Sequence, residues 1–375
     1  METRCGHVPM RQRRPWATVT RVTAPLHLPP TAPLRRRLLV AASLFGCLPG
    51  AALRAQGALE KPRLTLALGG RSTLYFLPIT IAEQLGYFAE EGLELELQDH
   101  AGGGLAQRAM LAGEADLVAG AYEHTIVLRQ RGRGCRAFVQ FGRAPQSVFG
   151  IGKRVFPDFQ DLGQLKGRRV GISAADSATE WFARLVLARG RLAASAVELV
   201  GVGTSTAAAS ALREGRIDAL VNVDPVVSLL ELGGELRVIA DARSLRGTQE
   251  LFEGPMPGGC LYAPQGFIVR YPRTVQALAN AVVRALKWLQ TAGPSDIVRT
   301  VPEVYMSGDR ATYLSALEKV REAFSPDGLL PEQAVTTAHA MIARFAPDGV
   351  AVRAPAPAAT YTNEFVQRAR QKYAN

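Results

Sequence analysis

Residues 64–97 of the chain read LTLALGGRSTLYFLPITIAEQLGYFAEEGLELEL, and this stretch decides the fold class. Its start alternates and is rich in strand formers, which predicts a β-strand at 64–68. A glycine-bearing loop follows. A helix is then predicted at 78–85, with an early proline where a missing N–H costs no hydrogen bond. The run at 93–97 alternates again and predicts a second strand. This order of strand, helix and strand, joined by short loops, is typical of an α/β layer with a mostly parallel sheet.

The same pattern continues and then starts again in the second half of the chain. A helix at 105–112 and a strand at 116–119 complete the first run. The second run consists of a strand at 169–172, a polar loop at 173–179, a helix at 180–189, a strand at 197–202, a helix at 205–214 and a strand at 219–223. The repetition predicts two similar α/β lobes, each with a mostly parallel central sheet.

The expected division of the chain follows from these two runs. It comprises a leader at 1–55, the first part of lobe 1 at 60–145, lobe 2 at 150–260, a return to lobe 1 with C-terminal helices at 265–346, and an Ala/Pro linker with a tail helix at 347–375. We expect the chain to cross between the lobes near 143–151 and 261–268, so that two segments form a hinge. A ligand cleft is expected between the facing lobes.

The strong positive charge of the chain belongs mainly to its N-terminal segment. The net charge is +11, but residues 1–55 hold nine arginines and a single acid, Glu2, so the remainder carries only +3. A nucleic-acid reader usually keeps a basic stripe in its folded domain. No such stripe follows residue 60, which argues against nucleic acid as a partner.

The same N-terminal segment predicts export. Three arginines at 35–37 precede a short apolar run at 38–48 and then small residues, which is the pattern of a secretory signal, with cleavage expected near Ala55. The run is too short for a permanent membrane span. The arginines also fit a twin-arginine signal. Cys47 lies in a weaker match to a lipoprotein box, because Phe45 is atypical there. The interpretation is a periplasmic protein, with a buried N-terminal helix as the alternative.

The remaining sequence offers no catalytic or metal-binding motif. Cys135 and Cys260 are the two cysteines outside the leader, and both a disulfide and two separate buried thiols stay open. No Cys/His spacing fits a zinc site, and no Gly-x-Ser-x-Gly turn or phosphate-binding loop appears. We therefore expect no metal, no cofactor and no catalytic residue.

Candidate ligand contacts are the polar and aromatic residues that follow the predicted strands, because ligands of parallel α/β sheets bind beyond the carboxyl ends of the strands. They are Arg71, Ser72, Thr73, Tyr75 and Phe76 in the first loop, Gly103 at the next helix, Tyr122, Glu123 and His124 after the strand at 116–119, Ser173, Asp176, Ser177 and Thr179 in the second polar loop, and Asn222 and Asp224 at the end of the strand at 219–223. Structural alternatives are helix capping in the second loop, core packing of the aromatics and a hinge ion pair at Glu123.

Several motifs in order resemble the nitrate/sulfonate/taurine and thiamine-precursor group of periplasmic solute-binding proteins. They are IAEQLGYFAEEGL at 81–93, GGG at 102–104, AGEAD at 112–116, GAYEH at 120–124, DLGQLKGRRVG at 161–171, GRIDA at 215–219, Asp-Pro at 224–225, and the segment 267–288. Each motif alone is weak, but their order is specific, and the resemblance covers residues 62–345. It implies a periplasmic-binding-protein type II-like fold, with two α/β lobes, a two-segment hinge and a ligand cleft between the lobes.

The resemblance implies the solute-binding component of an ABC-type importer. Its partners would be a small-molecule solute and a permease with its ATPase at the inner membrane, and we expect a monomer. Arg71 and helix N-termini would favour a small anion, whereas Glu123 and the aromatics would favour a heteroaromatic amine. The alternatives are a pyrimidine- or menaquinone-pathway enzyme on the same fold, and a sensory adaptor. The pyrimidine-synthesising relatives carry a Cys-rich iron motif that this sequence lacks.

Overall fold

The computed structural model describes residues 57–306, 309–345 and 356–373. The predicted leader and most of the predicted linker lie outside this part of the chain. The strands are β1 (Arg63–Gly69), β2 (Glu94–His100), β3 (Leu117–Ala121), β4 (Cys135–Gln140), β5 (Val148–Gly152), β6 (Arg169–Ile172), β7 (Glu198–Gly201), β8 (Ala219–Asn222), β9 (Leu236–Asp241) and β10 (Gly259–Pro264).

Helices connect most of these strands. They are α1 (Leu77–Gln84), α2 (Tyr87–Glu90), α3 (Gly103–Ala112), α4 (Glu123–Gln130), α5 (Ala178–Arg189), α6 (Thr206–Arg213), α7 (Val226–Leu232), α8 (Leu245–Phe252), α9 (Gln265–Arg270), α10 (Pro272–Thr291), α11 (Pro294–Thr300), α12 (Arg310–Val320), α13 (Glu332–Phe345) and α14 (Glu364–Lys372). Among the described helices, none combines the length and the apolar character that crossing a membrane requires.

The strands form two five-stranded sheets with matching topology. The order is β2-β1-β3-β10-β4 in lobe 1 and β7-β6-β8-β5-β9 in lobe 2. In each sheet one strand runs against its two neighbours, β10 in lobe 1 and β5 in lobe 2. Each is the strand that the chain forms on arriving from the other lobe. The prediction of two mostly parallel α/β lobes is confirmed, and each sheet is mixed because of that arriving strand.

Each sheet lies between two apolar layers. Along β1, Leu66 and Leu68 join one cluster while Ala67 joins another, as expected when alternate side chains point to opposite faces. Lobe 2 has two corresponding clusters, one around Phe149 and one around Leu220. Both faces of both sheets are therefore buried.

The two crossings between the lobes lie at 141–147, between β4 and β5, and at 242–258, between β9 and β10. The second crossing lies ahead of the predicted segment at 261–268, because β10 already belongs to the lobe 1 sheet. Lobe 2 likewise begins at Val148 rather than at 150. Both strands are buried and antiparallel, and buried strands lack the alternation that marks half-exposed ones.

The C-terminal segment is part of lobe 1. Phe365, Val366 and Ala369 of α14 are buried in its core, and Tyr361 forms a β-bridge with Ala137 at β4. The predicted tail helix therefore exists and packs on the domain.

The two cysteines outside the leader are both free thiols. Cys135 lies in β4 and Cys260 in the neighbouring β10, and both are buried. Cys260 pairs in register with Gln140 rather than with Cys135. Of the two possibilities that the sequence left open, the structure has separate buried thiols.

Candidate functional site

A cavity of about 40 Å³ lies between the two lobes. Lobe 1 and the first crossing line it with Gly69, Thr73, Tyr75, Phe76, Gly103, Gly120, Ala121, His124, Pro145 and Ser147. Lobe 2 lines it with Ser173, Ser177, Ala178, Thr179, Thr204 and Val223. The volume suits a few water-sized groups.

The sheet topology explains why these residues meet. Gly69 and Ala121 end β1 and β3, while Ser173 and Val223 directly follow β6 and β8. These are the carboxyl ends of parallel strands, where ligands of α/β sheets bind. Because the two sheets have the same order, the equivalent strand ends of both lobes face the same cavity.

The lobes touch closely at the rim of the cavity. A Cβ atom at Gly104 would overlap the carbonyl oxygen of Ala175, and one at Gly70 would overlap the hydroxyl of Thr204. The backbone N–H of Leu74 also donates to the carbonyl of Asp224 across the lobes, at 2.9 Å. Glycine is needed at position 104 because the backbone of the other lobe approaches too closely for a side chain, and Gly70 also has a φ of 101°, which favours glycine. The structure therefore shows the lobes in contact around the cleft.

An ion pair spans the lobes beside the cleft. Asp176 accepts a hydrogen bond from Arg131 of lobe 1 at 2.9 Å, and Arg108 of α3 lies 3.6 Å from its other oxygen. Asp176 adopts a φ of 61°, which aspartate tolerates better than most residues. Its carboxylate is therefore held in the seam and is not among the residues that line the cavity.

In lobe 2 the cleft is lined by a group of buried hydroxyls that bond to one another. The hydroxyl of Thr179 lies 2.8 Å from that of Ser173 and 2.7 Å from that of Ser177, and it accepts the Ser173 N–H at 2.9 Å. Ser177 is also the N-cap of α5 and accepts the N–H of Glu180. These hydroxyls are therefore bonded within lobe 2.

In lobe 1 two polar atoms at the cleft have no partner among the described residues. They are the hydroxyl of Tyr75 and Nε2 of His124. The other ring nitrogen of His124 lies 3.0 Å from the hydroxyl of Tyr262. Burial lowers the pKa of His124 to about 4 and raises that of Tyr75 well above its usual value. Both side chains are therefore neutral near pH 7.

Of the remaining polar candidates from the first loop, two lie beside the cavity and one lines it. The guanidinium of Arg71 pairs with Glu83 of α1, and its backbone N–H donates to Asp99 at 2.8 Å. Ser72 is half-buried in the same turn. Thr73 does line the cavity, and its hydroxyl donates to the carbonyl of Gly70 at 2.8 Å. Arg71, which the sequence suggested as a contact for an anionic ligand, is thus already paired with the carboxylate of Glu83.

Two candidates after β8 are used internally in lobe 2. The side chain of Asn222 donates to the carbonyl of Gly203 at 3.0 Å and accepts the N–H of Val223. Asp224 accepts the N–H of Ser228 at 2.8 Å and pairs with Arg243 at 3.3 Å. These are the capping and ion-pair roles that compete with ligand binding.

The last two candidates lie behind the wall of lobe 1. The hydroxyl of Tyr122 lies 2.6 Å from that of Thr360 in the C-terminal segment. Glu123 is the first residue of α4 and is buried. The sequence predicted that Tyr122 and Glu123 lie at a strand end in the cleft. In the structure the helix α4 begins at Glu123, and among residues 122–124 only His124 lines the cavity.

Sequence reasoning missed several residues that line the cavity. Thr204 follows β7, so the strand-end rule that selected the other candidates would have found it. Pro145 and Ser147 belong to the first crossing, whose position was predicted although its contribution to the cleft was not. Gly69 and Gly120 line the cavity with backbone atoms only, and the choice of residue types in the sequence does not indicate such contacts.

The family model described as "NMT1/THI5 like" matches residues 73–292. The chain belongs to this family. The curated "putative binding protein YtlA" of Bacillus subtilis (strain 168) is 21% identical over 266 residues, which cover 70% of this chain and 77% of that protein. A solved structure from Bordetella bronchiseptica RB50 is 46% identical, with a TM-score of 0.83, and covers 85% of this chain and all of its own.

More distant structures share the fold. The alkanesulfonate-binding protein SsuA from Xanthomonas axonopodis pv. citri, bound to MOPS, is 16% identical with a TM-score of 0.63, covering 82% of this chain and 100% of its own. The periplasmic nitrate-binding protein NrtA from Synechocystis PCC 6803 is 12% identical with a TM-score of 0.62, covering 84% and 90%. The desulfurization enzyme DSZB is 16% identical with a TM-score of 0.54, covering 83% and 100%. The predicted fold and family resemblance are confirmed, and the fold serves both binding proteins and an enzyme.

Proposed function

We propose that this family member is the solute-binding component of an ABC-type importer, and that its cleft captures a small oxyanion-bearing solute. One observation carries the proposal. The N-termini of two helices from opposite lobes, α3 at Gly103 and α5 at Ser177 and Ala178, line the same cavity. The N–H groups of a first helical turn have no partner inside the helix, and the helix dipole places positive charge there. Such ends favour anions.

The side chains around these helix ends support an acceptor-rich ligand. The hydroxyls of Thr73, Ser173 and Tyr75 and the neutral ring of His124 are polar without being charged. Among the described lining residues, no carboxylate is present to favour a cation. No lysine or arginine lines the cavity either, so the binding free energy for an anion would come from N–H and O–H donors.

The size and the apolar wall of the cavity narrow the class of solute. A cavity of about 40 Å³ suits a compact head group, and Tyr75 and Phe76 lie against it in an edge-to-face arrangement 5.0 Å apart. A sulfonate, carboxylate or nitrate group fits this description, with the aromatic rings next to a short organic substituent. We infer that larger ligands require the lobes to separate.

We infer that the protein works in the periplasm, where its cleft captures the solute by closure and delivers it to a permease at the inner membrane, without a chemical step. The contacts across the seam at Gly104, Asp176 and Asp224 form only when the lobes meet. Burial raises the pKa of the Cys135 and Cys260 thiols, so neither is a reactive thiolate at neutral pH. A permease with its ATPase as partner, and a monomeric state, complete the proposal.

A panel of solutes tests the ligand class. We expect a sulfonate, carboxylate or nitrate from a panel that also contains amines and aminopyrimidines to raise the melting temperature of the protein, because a ligand that binds the native state stabilises it by mass action. The compound should be recovered unchanged after prolonged incubation. Stabilisation by amines alone would contradict the anion assignment, and conversion of the compound would contradict a pure binding role.

A pair of helix-cap variants tests the site. Ser177→Ala removes the cap of α5 at the cleft, and Ser244→Ala removes the matched cap of α8, which does not line the cavity. Both should cost about 1 kcal/mol of stability. Only Ser177→Ala should weaken anion binding in calorimetry, and equal affinities for the two variants would place the site elsewhere.

A further inference from the structure

The carboxyl group of Glu123 is buried without a counterion. Glu123 is 5% exposed, and no described residue forms an ion pair with its carboxyl group, which accepts a hydrogen bond from its own backbone N–H. The other buried acids of the described chain are paired, Asp218 with Arg169 and Asp224 with Arg243. Burying a carboxylate without compensation is costly, and such groups become neutral instead.

The groups that face Glu123 are neutral. They are the phenols of Tyr75 and Tyr262 and the thiol of Cys260, and burial raises the pKa of each well above its usual value. The ion pair of Arg131 with Asp176 acts electrostatically on the neighbouring His124. Among the residues that the structure describes, no cation therefore stabilises the ionised form of Glu123.

Glu123 lies directly behind the wall of the cleft. Its neighbour in sequence, His124, lines the cavity, and so does Tyr75, whose hydroxyl has no partner. The carboxyl group of Glu123 acts electrostatically on the hydroxyl of Tyr75, so it lies near this part of the cavity wall. Charges in such a poorly screened environment act on each other more strongly than they do in water.

We propose that capture of an anionic solute in this cleft is coupled to protonation of Glu123, so that the neutral carboxyl group admits the anion and the ionised one repels it. This inference rests on the proposed anion-binding function. It makes Glu123 a residue that sets the pH range of binding rather than a ligand contact.

The burial of Glu123 supports this coupling. Burial raises its pKa to about 7. The carboxyl group is then largely neutral at pH 6 and largely ionised at pH 8.5. A nearby bound anion raises the pKa further, because like charges disfavour each other. By linkage, binding above pH 7 takes up a proton and weakens as the pH rises.

Calorimetric titration with ethanesulfonate and with nitrate, at pH 6 and pH 8.5, tests the coupling. For the wild-type protein we expect roughly tenfold weaker binding at pH 8.5, with proton uptake measured in buffers of different ionisation enthalpy. Glu123→Gln should bind equally at both pH values. The matched control Asp218→Asn removes a buried carboxylate that precedes β8, away from the cleft, and should keep the wild-type pH dependence.

The outcomes separate the two proposals. Binding that is independent of pH in the wild-type protein, binding that strengthens at high pH, or an unchanged pH slope in Glu123→Gln would each overturn the coupling and leave the binding function intact. Failure of both probes and of the wider panel to bind would overturn the binding function and the coupling together. Proton uptake is measured on the wild-type protein, so the test does not depend on the folding of a variant.

Discussion

The two lobes share one sheet topology but line the cleft in different ways. Lobe 2 offers hydroxyls that already bond to one another around Thr179. Lobe 1 offers glycine backbone, two aromatic rings and His124, and one polar atom each of Tyr75 and His124 has no partner among the described residues. The same contrast holds for buried acids, since those of lobe 2 are paired and Glu123 of lobe 1 is not. The topology thus sets the position of the cleft, while the side chains decide which lobe presents unpaired polar atoms to it.

The largest expected effect comes from the seam between the lobes. Gly104→Ala should weaken solute binding by roughly a thousandfold, about 4 kcal/mol, because the added Cβ would overlap the carbonyl of Ala175 only when the lobes meet. The stability of the free protein should not fall, since alanine is favoured in the helix α3. Calorimetry and small-angle scattering would measure affinity and closure.

The control for this variant is Gly266→Ala, because a Cβ there meets no neighbouring atom and the residue is also helical. It should leave both affinity and shape unchanged. Wild-type affinity in Gly104→Ala would show that the solute binds without contact between the lobes.

The second effect concerns stability and the unpaired acid of lobe 1. Burial raises the pKa of Glu123 in the folded state to about 7 from an ordinary value of 4.5. The folded state therefore holds the proton more tightly, and this stabilisation is present below pH 4.5 and lost as the pH rises through 7. Between these two pH values the free energy of unfolding of the wild-type protein should fall by about 3 kcal/mol. We expect Glu123→Gln not to show this fall.

The neighbouring His124 acts with the opposite sign. Burial lowers its folded pKa from 6.5 to about 4, so its contribution is present above pH 6.5 and is lost as the pH falls through 4. Denaturant unfolding at several pH values would measure both effects. A wild-type profile without a high-pH decline would show that the Glu123 carboxyl finds a partner.

The third effect distinguishes the unpartnered groups of lobe 1 from the bonded hydroxyls of lobe 2. Tyr75→Phe should weaken solute binding by about tenfold if its hydroxyl bonds the ligand, and it should not destabilise the free protein, because the hydroxyl has no partner there. Ser173→Ala should cost about 1 kcal/mol of stability, since it removes the hydroxyl that bonds to the hydroxyl of Thr179. Loss of stability in Tyr75→Phe would contradict this comparison.

The smallest effect comes from the partly exposed ion pair across the seam. Asp176→Asn should weaken binding only two- to fivefold, because exposed pairs contribute up to about 1 kcal/mol. The loss should appear in the dissociation rate and shrink at high salt. Asp327→Asn, which breaks a pair with Arg370 within lobe 1, is the control and should not change the rate.

Much of the site was predictable where local chemistry decides it. The loop after β6 and the strand itself at 169–172 lie where the pattern placed them, because polar residues with helix-capping chemistry follow a short apolar run. The buried strands β5 and β10 escaped notice, since a strand covered on both faces shows no alternation. The role of Arg71 escaped notice as well, because its partner Glu83 lies on the next helix.

The sequence by itself determined the two-lobed α/β class, the family and the end of the sheets at which the cavity between the lobes lies. These follow from periodicity and from motif order, which are local properties of the chain. Only the tertiary structure decided which candidates meet at the cleft, that Asp176 joins the lobes, and that Glu123 has no counterion. Those facts depend on distances between segments far apart in sequence. Burial and electrostatics act through space, so a linear pattern cannot state them.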